Sequence, residues 1–379
     1  MASEIGKKEL TLTQKFWQLN WGLILIISLV ASVGFAMLYS AAEGSWDPWA
    51  SRQALRFGMG FFLMVVIAVV DIKFWMRLSY ILYGIGFLLL VAVEVFGQVG
   101  MGAQRWIDLK VIVLQPSEIM KIALVLALAR YFHGIPIEDI GRIRTLIIPL
   151  LLVFLPIGLI LKQPDLGTSL MLVAGSGVIF FLAGVRIWKF ALVIVGVLAS
   201  LPVAWNYLHP YQQNRVLTFL DPERDPLGAG YHIMQSKIAM GAGGMFGKGF
   251  MQGSQSQLKF LPEKQTDFIF TMLAEEIGLV GGLGLMGLYA LLMIYGTFIA
   301  VRCRNHFGRL TALGVTTTFS LYAFINIAMV MGVIPVVGVP LPMVSYGGTA
   351  MLTVMIGFGL LMNCYVHRDM RIPRNWREM

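Results

Sequence analysis

Charged residues are scarce in this 379-residue sequence, and their scarcity excludes a water-soluble globular protein. Asp, Glu, Lys and Arg make up 13% of the residues, whereas soluble domains carry about 25%. Hydrophobic residues make up 58%, which exceeds the roughly 45–50% of soluble domains. The composition also excludes disordered and fibrous proteins. It predicts an all-α, polytopic integral membrane protein.

Cysteine and histidine are rare as well. Cys303 and Cys364 are too few for a disulfide framework, and no two histidines stand four residues apart as on a zinc-binding helix. A cleavable signal peptide is not predicted, because the apolar run after Lys7, Lys8 and Lys15 is longer than the hydrophobic region of a signal. This run is predicted to be a retained first span.

Long apolar runs predict ten transmembrane helices, since a bilayer-spanning helix needs ~20 apolar residues. The runs lie at residues 20–42, 54–71, 74–96, 117–133, 144–161, 167–184, 187–207, 268–301, 309–334 and 344–366. The predicted organisation is a cytoplasmic tail at 1–20, a membrane domain at 20–366 with one long extracytoplasmic loop at 208–266, and a cytoplasmic tail at 367–379. The eighth run is long, and four glycines allow a bend or tight packing within it: Gly278, Gly281, Gly282 and Gly284.

Lysine and arginine in the short connections predict the orientation, because cytoplasmic loops collect these residues. Seventeen of them lie in the connections on one side, terminal tails included, and five lie on the other side. The long loop counts for little, because long loops cross the membrane largely regardless of charge. Both termini are therefore predicted to be cytoplasmic. This topology explains the net charge of +9 without a nucleic-acid partner.

Polar motifs stand at the predicted outer ends of four helices. They are Gly102–Asp108 with Gln115–Lys121, Lys162–Thr168, Leu261–Phe268 and Gly338–Gly348. A helix N-terminus carries about half a positive charge and several unpaired N–H groups. These helix starts therefore suit an anionic group.

Each motif also has an ordinary structural interpretation. Taken singly, Glu118 and Asp165 are good helix-capping residues after Gln-Pro, and Asp267 is equally a cap or a functional carboxylate. Trp106 at the membrane interface is typical of an aromatic belt. Ser345, with the glycines after it, fits a tight turn into the last helix.

Capping does not explain Lys121, which follows Glu118 by three residues and therefore shares its helix face. A lysine one turn inside the membrane is costly unless it is paired, and Glu118 is its predicted partner. Three acids and three cations thereby converge at one depth: Glu118, Asp165, Asp267, Arg105, Lys121 and Lys162. From the residues alone, group transfer on a lipid-linked anionic substrate and translocation of a substrate or ion both remain open.

Five motifs closely resemble the SEDS family (shape, elongation, division, sporulation). They are Arg105-Trp106 with Gln115–Glu118, Gln163–Thr168, Asp221–Tyr231, Thr266–Ile269 and Ser345–Gly348. The resemblance covers nearly the whole chain from the first helix to the tenth. The runs Asp225–His232 and Gln255–Leu258 are more similar to the elongation members than to the division members.

The resemblance implies a peptidoglycan glycosyltransferase that polymerises lipid II outside the membrane by an inverting reaction and releases undecaprenyl diphosphate. The implied partners are the nascent glycan strand, a class B penicillin-binding protein and the elongation machinery. A lipid II flippase and a non-catalytic scaffold for the penicillin-binding protein are the alternatives.

The resemblance also implies roles for single residues. Asp267 corresponds to the family's catalytic aspartate, and we expect it to act as the general base. Cations for the leaving diphosphate are expected among Arg105, Lys121, Lys162 and Lys264. Trp106 is expected to stack on a sugar, Glu118 to hold Lys121, Ser345 to contact substrate, and Asp165 to orient the donor or bind a divalent cation.

Overall fold

The computed structural model of the chain describes residues 11–100, 103–108, 113–136, 138–208, 210–225, 228–257 and 263–374. The helices, numbered in chain order, are α1 Leu12–Trp17, α2 Trp21–Ala41, α3 Trp49–Val69, α4 Ile72–Phe96, α5 Pro116–His133, α6 Ile143–Lys162, α7 Leu166–Ala183, α8 Ile187–Trp205, α9 Pro210–Leu220, α10 Ala229–Gly243, α11 Ser254–Gln257, α12 Ile269–Arg302, α13 His306–Val330 and α14 Gly348–Val366. Gly102, Pro226-Leu227, Leu258 and Leu261-Pro262 of the sequence motifs lie outside the described residues, as do residues 1–10 of the N-terminal tail and the last five residues.

Ten of these helices follow the ten apolar runs, and the predicted all-α membrane fold is confirmed. Eight of them are long and apolar enough to cross a membrane: α2, α3, α4, α6, α7, α12, α13 and α14. α8 adds a shorter apolar segment, Ile187–Val203, and the residues from Ala191 to Val203 are all exposed, as expected for a helix in contact with lipid. The count of ten spans stays a prediction.

α5 is the central helix of the bundle. It carries Glu118, Lys121 and Arg130, and 15 of its 18 residues are buried by neighbouring helices. Contacts with α4, α13, α7 and α6 surround it. Glu118 and Lys121 in its first half are therefore shielded from lipid, which lowers the cost of placing charged side chains within the membrane.

A small antiparallel sheet interrupts the helical pattern between α4 and α5. Its strands are β1 Gln98–Gly100, β2 Ala103–Asp108 and β3 Val113–Leu114, in the order β1-β2-β3. The strands are short and carry β-branched and aromatic residues, which favour extended backbone. The sheet was not predicted, and it presents Arg105 and Trp106 on the middle strand.

α12 is broken at Gly278, where φ is 77° and ψ is −165°. A loop from the long connection fills the break: Leu279 N donates to Gly244 O at 2.9 Å, and Lys248 N donates to Glu275 O at 3.0 Å. A Cβ at Gly278 would collide with Gly247 N. The predicted bend is therefore confirmed at this glycine, because only glycine combines the positive φ with this close approach.

The connection between α8 and α12 is structured in its described part. It contains α9, a 3-10 helix at Pro222–Arg224, α10 and α11. α10 packs against α12, and its buried Ser236 contacts Thr271 Oγ1 at 2.7 Å and donates to Val330 O at 2.8 Å. The side of the membrane on which this connection lies stays a prediction.

Candidate active site

Asp267 lies in the turn just before α12 and is half-buried. The N-cap of α12 is Phe268, with no capping side chain, so Asp267 does not cap this helix. Asn326 Nδ2 of α13 donates to Asp267 O at 3.0 Å and to Val339 O at 2.7 Å. The backbone of Asp267 is thereby fixed between α13 and the segment before α14.

Ser345 fixes the same turn from the other side. Its Oγ donates to Thr266 O at 2.6 Å and accepts from Leu341 N at 2.8 Å, while Tyr346 N donates to Gln265 O at 2.8 Å. Ser345 is buried, so this side chain shapes the turn that presents Asp267. The expected turn before α14 is present, and it is built around these bonds.

The pKa of Asp267 is raised to about 6, mainly by burial and in part by the neighbouring Glu263 carboxylate. Arg215 opposes both effects by electrostatic attraction. The Arg215 guanidinium lies close by, and its Nη1 donates to Val336 O at 3.2 Å. Asp267 therefore holds a carboxyl that is ready to exchange a proton near neutral pH.

Glu118 and Lys121 form the predicted pair. Lys121 Nζ donates to Glu118 Oε1 at 2.8 Å, and each residue is only 3% exposed. Tyr322 of α13, which was not predicted, closes the cluster: its hydroxyl donates to Glu118 Oε2 and accepts from Lys121 Nζ. The N-cap of α5 is Gln115, so Glu118 serves the pair and does not cap the helix.

Asp165 is the N-cap of α7, where it accepts from Thr168 N at 3.2 Å and from Thr168 Oγ1 at 2.9 Å. Arg105 holds the same helix start, since its Nη2 donates to Pro164 O at 2.6 Å and its Nε lies 3.8 Å from Asp165 Oδ2. This single carboxylate already faces Thr168 and Arg105. It does not fit a divalent-cation site, and the described residues contain no group of three His, Cys, Asp or Glu side chains able to hold a metal.

The remaining predicted residues are Lys162, Lys264 and Trp106. Lys162 is exposed at the end of α6, and Lys264 is buried near Glu276 of α12. Trp106 lines a cavity of about 470 Å³ between β2, α3 and the start of α14. Arg52 and Arg56 of α3 line the same cavity and were missed, although their four-residue spacing placed both on one helix face.

Glu275 and Glu276 anchor the loop that enters the break in α12. Glu275 Oε1 accepts from Lys248 Nζ at 3.0 Å and from Gln255 N at 2.9 Å, and Glu276 Oε2 accepts from Met251 N at 3.1 Å. Both glutamates are buried. These bonds connect the break in α12 to the segment that leads back to Asp267.

We expect Glu275→Gln to loosen this loop and to lower the free energy of unfolding by about 1–3 kcal/mol, because a charge-assisted bond to Lys248 is lost. The measurement is the melting temperature in detergent together with limited proteolysis of residues 244–255. Glu94→Gln, an exposed change on α4, is the control. Equal proteolysis rates for the two variants would contradict this role.

Comparison with known proteins identifies the family. A sequence model of the FtsW, RodA and SpoVE proteins, described as cell cycle protein, matches residues 14–370. The chain belongs to this family. Within it, the chain is 46% identical to the peptidoglycan glycosyltransferase MrdB of Escherichia coli K12 over 350 residues, covering 92% of this chain and 94% of MrdB.

Two solved structures of the family share the fold. A crystal structure of the rod shape determining protein RodA of Thermus thermophilus matches with a TM-score of 0.71 and 30% identity over 93% of this chain and 98% of that chain. A chain from a structure on the coordination of polymerization and crosslinking by a peptidoglycan synthase complex matches with a TM-score of 0.79 and 34% identity, over 93% of this chain and 98% of that one. The predicted SEDS resemblance is confirmed.

Proposed function

We propose that this peptidoglycan glycosyltransferase polymerises lipid II into β-1,4-linked glycan strands for cell elongation, with Asp267 as the general base. The observation that carries the proposal is the half-buried Asp267 carboxyl, whose pKa is raised to about 6 and whose side chain does not cap α12. A base is most effective when its pKa lies near the working pH, because it is then ionised and still able to hold a proton. A carboxylate with its ordinary pKa would be a weaker base.

In this proposal the 4-hydroxyl of the acceptor GlcNAc attacks C1 of the donor MurNAc, and Asp267 takes the hydroxyl proton. The bond between C1 and the diphosphate oxygen breaks as the glycosidic bond forms, and undecaprenyl diphosphate leaves with the electron pair. The donor is α-linked and the product is β-linked, so one displacement inverts C1 without a glycosyl-enzyme intermediate. The leaving diphosphate needs cations and no general acid.

The proposed topology places Asp267 at the outer face of the membrane and both termini in the cytoplasm. A class B penicillin-binding protein is the proposed partner. This proposal agrees with the matched peptidoglycan synthase complex, whose description names both polymerization and crosslinking. A flippase would need a polar path past Glu118 and Lys121. The void beside Lys121 measures about 10 Å³, room for about one water molecule.

The test is polymerisation of lipid II by the detergent-purified protein, with and without its partner, in the presence of an inhibitor of classical glycosyltransferases. We expect glycan strands that are resistant to this inhibitor. Lipid II left unpolymerised by the folded, partnered protein would refute the proposal. Transport of lipid II in vesicles without polymerisation would then favour the flippase.

The pH dependence of the reaction provides a second prediction. Because the base must be ionised, the rate should rise with pH through a limb centred near the pKa of Asp267, about 6. Glu263→Gln removes a neighbouring negative charge and should shift the limb to lower pH, whereas Arg215→Gln should shift it to higher pH. The measurement is the pH profile of kcat/KM for the three proteins.

Opposite shifts for the two variants are the distinguishing result, because a merely structural loss would lower the rate without moving the limb. Shifts in the same direction, or a limb unmoved by both changes, would exclude Asp267 as the titrating group. Glu263 is exposed, so its replacement should leave the fold intact.

A further inference from the structure

The C-terminal segment after α14 folds back across one end of the helix bundle. Asn305 Nδ2 donates to Met370 O at 3.3 Å, and Arg304 N donates to Arg368 O at 2.9 Å. Ile372 in the same segment is buried. This segment is therefore packed against the start of α13 as part of the folded protein.

This end of the bundle lies far from the candidate active site. α13 begins at His306, and Asn326 near its other end donates to the backbone of Asp267. From His306 to Asn326 the helix rises roughly 30 Å, which is about the thickness of the hydrocarbon core of a bilayer. A helix that presents Asp267 at one membrane surface therefore places His306 among the lipid head groups of the opposite surface.

Two imidazole rings lie close together at this end, and hydrogen bonds fix their tautomers. His133, the last residue of α5, is 5% exposed, and its Nε2 donates to Pro373 O at 3.3 Å. The second ring is that of His306, whose Nδ1 accepts from Arg309 Nη2 at 3.0 Å. Because a carbonyl only accepts and a guanidinium only donates, each neutral ring carries its proton on Nε2.

Each ring leaves one nitrogen without a partner. His133 Nδ1 and His306 Nε2 are buried and have no hydrogen-bond partner among the described residues. Buried polar atoms are normally satisfied, so these two atoms indicate a ligand. His306 Nε2 offers it a donor, and His133 Nδ1 becomes a second donor when an anion nearby favours the protonated ring.

The charges around the two rings are positive. Arg374 lies close enough to act electrostatically on both rings, and Arg309 acts on the His306 ring. Both arginines are exposed, and Arg374 has no hydrogen bond or ion pair within the described part of the chain. Asp369 of the same segment is already paired, since it lies 3.6 Å from Arg304 Nε. An anion with several acceptor oxygens would complement this excess of positive charge.

An apolar surface lies next to these charges. Arg309 also acts electrostatically on Cys303, the C-cap of α12. Phe298 and Val301 in the last turns of α12 are 45% and 74% exposed, and their three-residue spacing places them on one helix face. An amphiphile whose phosphate lies at the arginines therefore finds a surface for its acyl chain along α12.

We propose that the histidine–arginine cluster formed by His133, His306, Arg309 and Arg374 binds the phosphate group of an anionic phospholipid. The phosphate bridges Arg374 of the C-terminal segment and Arg309 of α13, and it accepts a hydrogen bond from His306 Nε2. The proposal goes beyond the polymerisation reaction and does not depend on it, because the cluster lies at the other end of α13 from Asp267.

The test is equilibrium binding of short-chain phosphatidylglycerol to the full-length protein in detergent. The double variant Arg309→Gln/Arg374→Gln should raise the Kd roughly tenfold or more, because two charge-assisted contacts are lost. The matched control is Arg142→Gln/Arg144→Gln, which removes two exposed arginines at the start of α6 and should leave the Kd unchanged. Equal losses in the two double variants would indicate an unspecific basic surface and overturn the proposal. A Kd that neither double variant changes would also overturn it.

Two variants of His306 test the contribution of the buried ring. His306→Gln keeps an N–H donor and should retain most of the affinity, whereas His306→Phe removes the donor and should weaken binding. The melting temperature of each variant without lipid checks that it is folded. Parental affinity in a folded His306→Phe protein would remove the ring from the site and contradict the proposal.

Other ligands distinguish the source of the phosphate. Inorganic phosphate should bind weakly, with the same dependence on the two arginines, because it lacks the acyl chains. Phosphatidylcholine should bind weakly because its head group has no net charge. Inorganic phosphate that binds as tightly as phosphatidylglycerol would make this a site for a soluble phosphate. Phosphatidylcholine that binds as tightly would show that the cluster does not recognise charge, and either result would overturn the proposal.

Discussion

Replacing Asp267 by asparagine should lower the rate of lipid II polymerisation roughly 10²–10⁴-fold, the usual contribution of a general base. Asparagine has nearly the same shape as aspartate but cannot take the proton of the acceptor hydroxyl. The bonds that fix this turn go to backbone atoms, from Asn326 to Asp267 O and from Ser345 to Thr266 O, and they survive the change. The measurement is the initial rate of strand synthesis by purified protein with its partner.

The stability of the same variant separates lost chemistry from lost folding. Burial raises the pKa of Asp267 to about 6, so between about pH 4 and pH 6 the native carboxyl holds a proton that the unfolded chain has released. Native stability therefore falls as pH rises through this window, and above it the folded protein carries a disfavoured charge. Asparagine removes that charge, so the melting temperature at pH 8 should equal or exceed that of the parent.

Asp221→Asn is a matched control, because Asp221 is an exposed aspartate in the same connection between α8 and α12. It should polymerise at the parental rate. Parental polymerisation by a folded Asp267→Asn protein would show that another group, or solvent, takes the proton. A large loss in both variants would point to disturbance of the whole connection.

The positions of most helices could be predicted from the sequence, because a helix that crosses a bilayer needs a long apolar run. The largest error at a helix start lies in α3, which begins at Trp49 although the apolar run begins at residue 54. Arg52 and Gln53 make this first turn polar, so hydropathy alone excluded it. The missed turn contributes Arg52 to the cavity that Trp106 also lines, and Arg56 follows one turn later.

Most residues of the candidate site could be predicted from the sequence, but only some of the contacts between them could. The ion pair between Glu118 and Lys121 could be predicted, because residues three apart on a helix lie side by side on one face. Tyr322 could not be found in this way, since it lies in an apolar run of α13 and reaches Glu118 only after the helices pack. The loop held by Glu275 and Glu276 was hidden for the same reason: its bonds link residues about 20 or more positions apart.

Lys121→Met should destabilise the protein by about 3–5 kcal/mol, because it leaves the Glu118 carboxylate buried without its cation. Glu118 is 3% exposed, so water cannot replace the lost partner. Glu118→Gln should have a similar effect by leaving Lys121 uncompensated, and Tyr322→Phe should cost less, about 1–3 kcal/mol, because one hydroxyl is lost. The measurement is unfolding of each variant in detergent.

The double variant Glu118→Gln/Lys121→Met decides whether the two residues act as one unit. Replacing both charges leaves no unpaired ion in the bundle, so its loss of stability should be well below the sum of the single losses. The same cycle on polymerase activity should also be non-additive, because either single change distorts α5 next to Gln115, which lines the cavity. Fully additive losses in both measurements would mean that Glu118 and Lys121 act separately. Restored stability without restored activity would instead give the pair a role in the reaction beyond holding α5 in place.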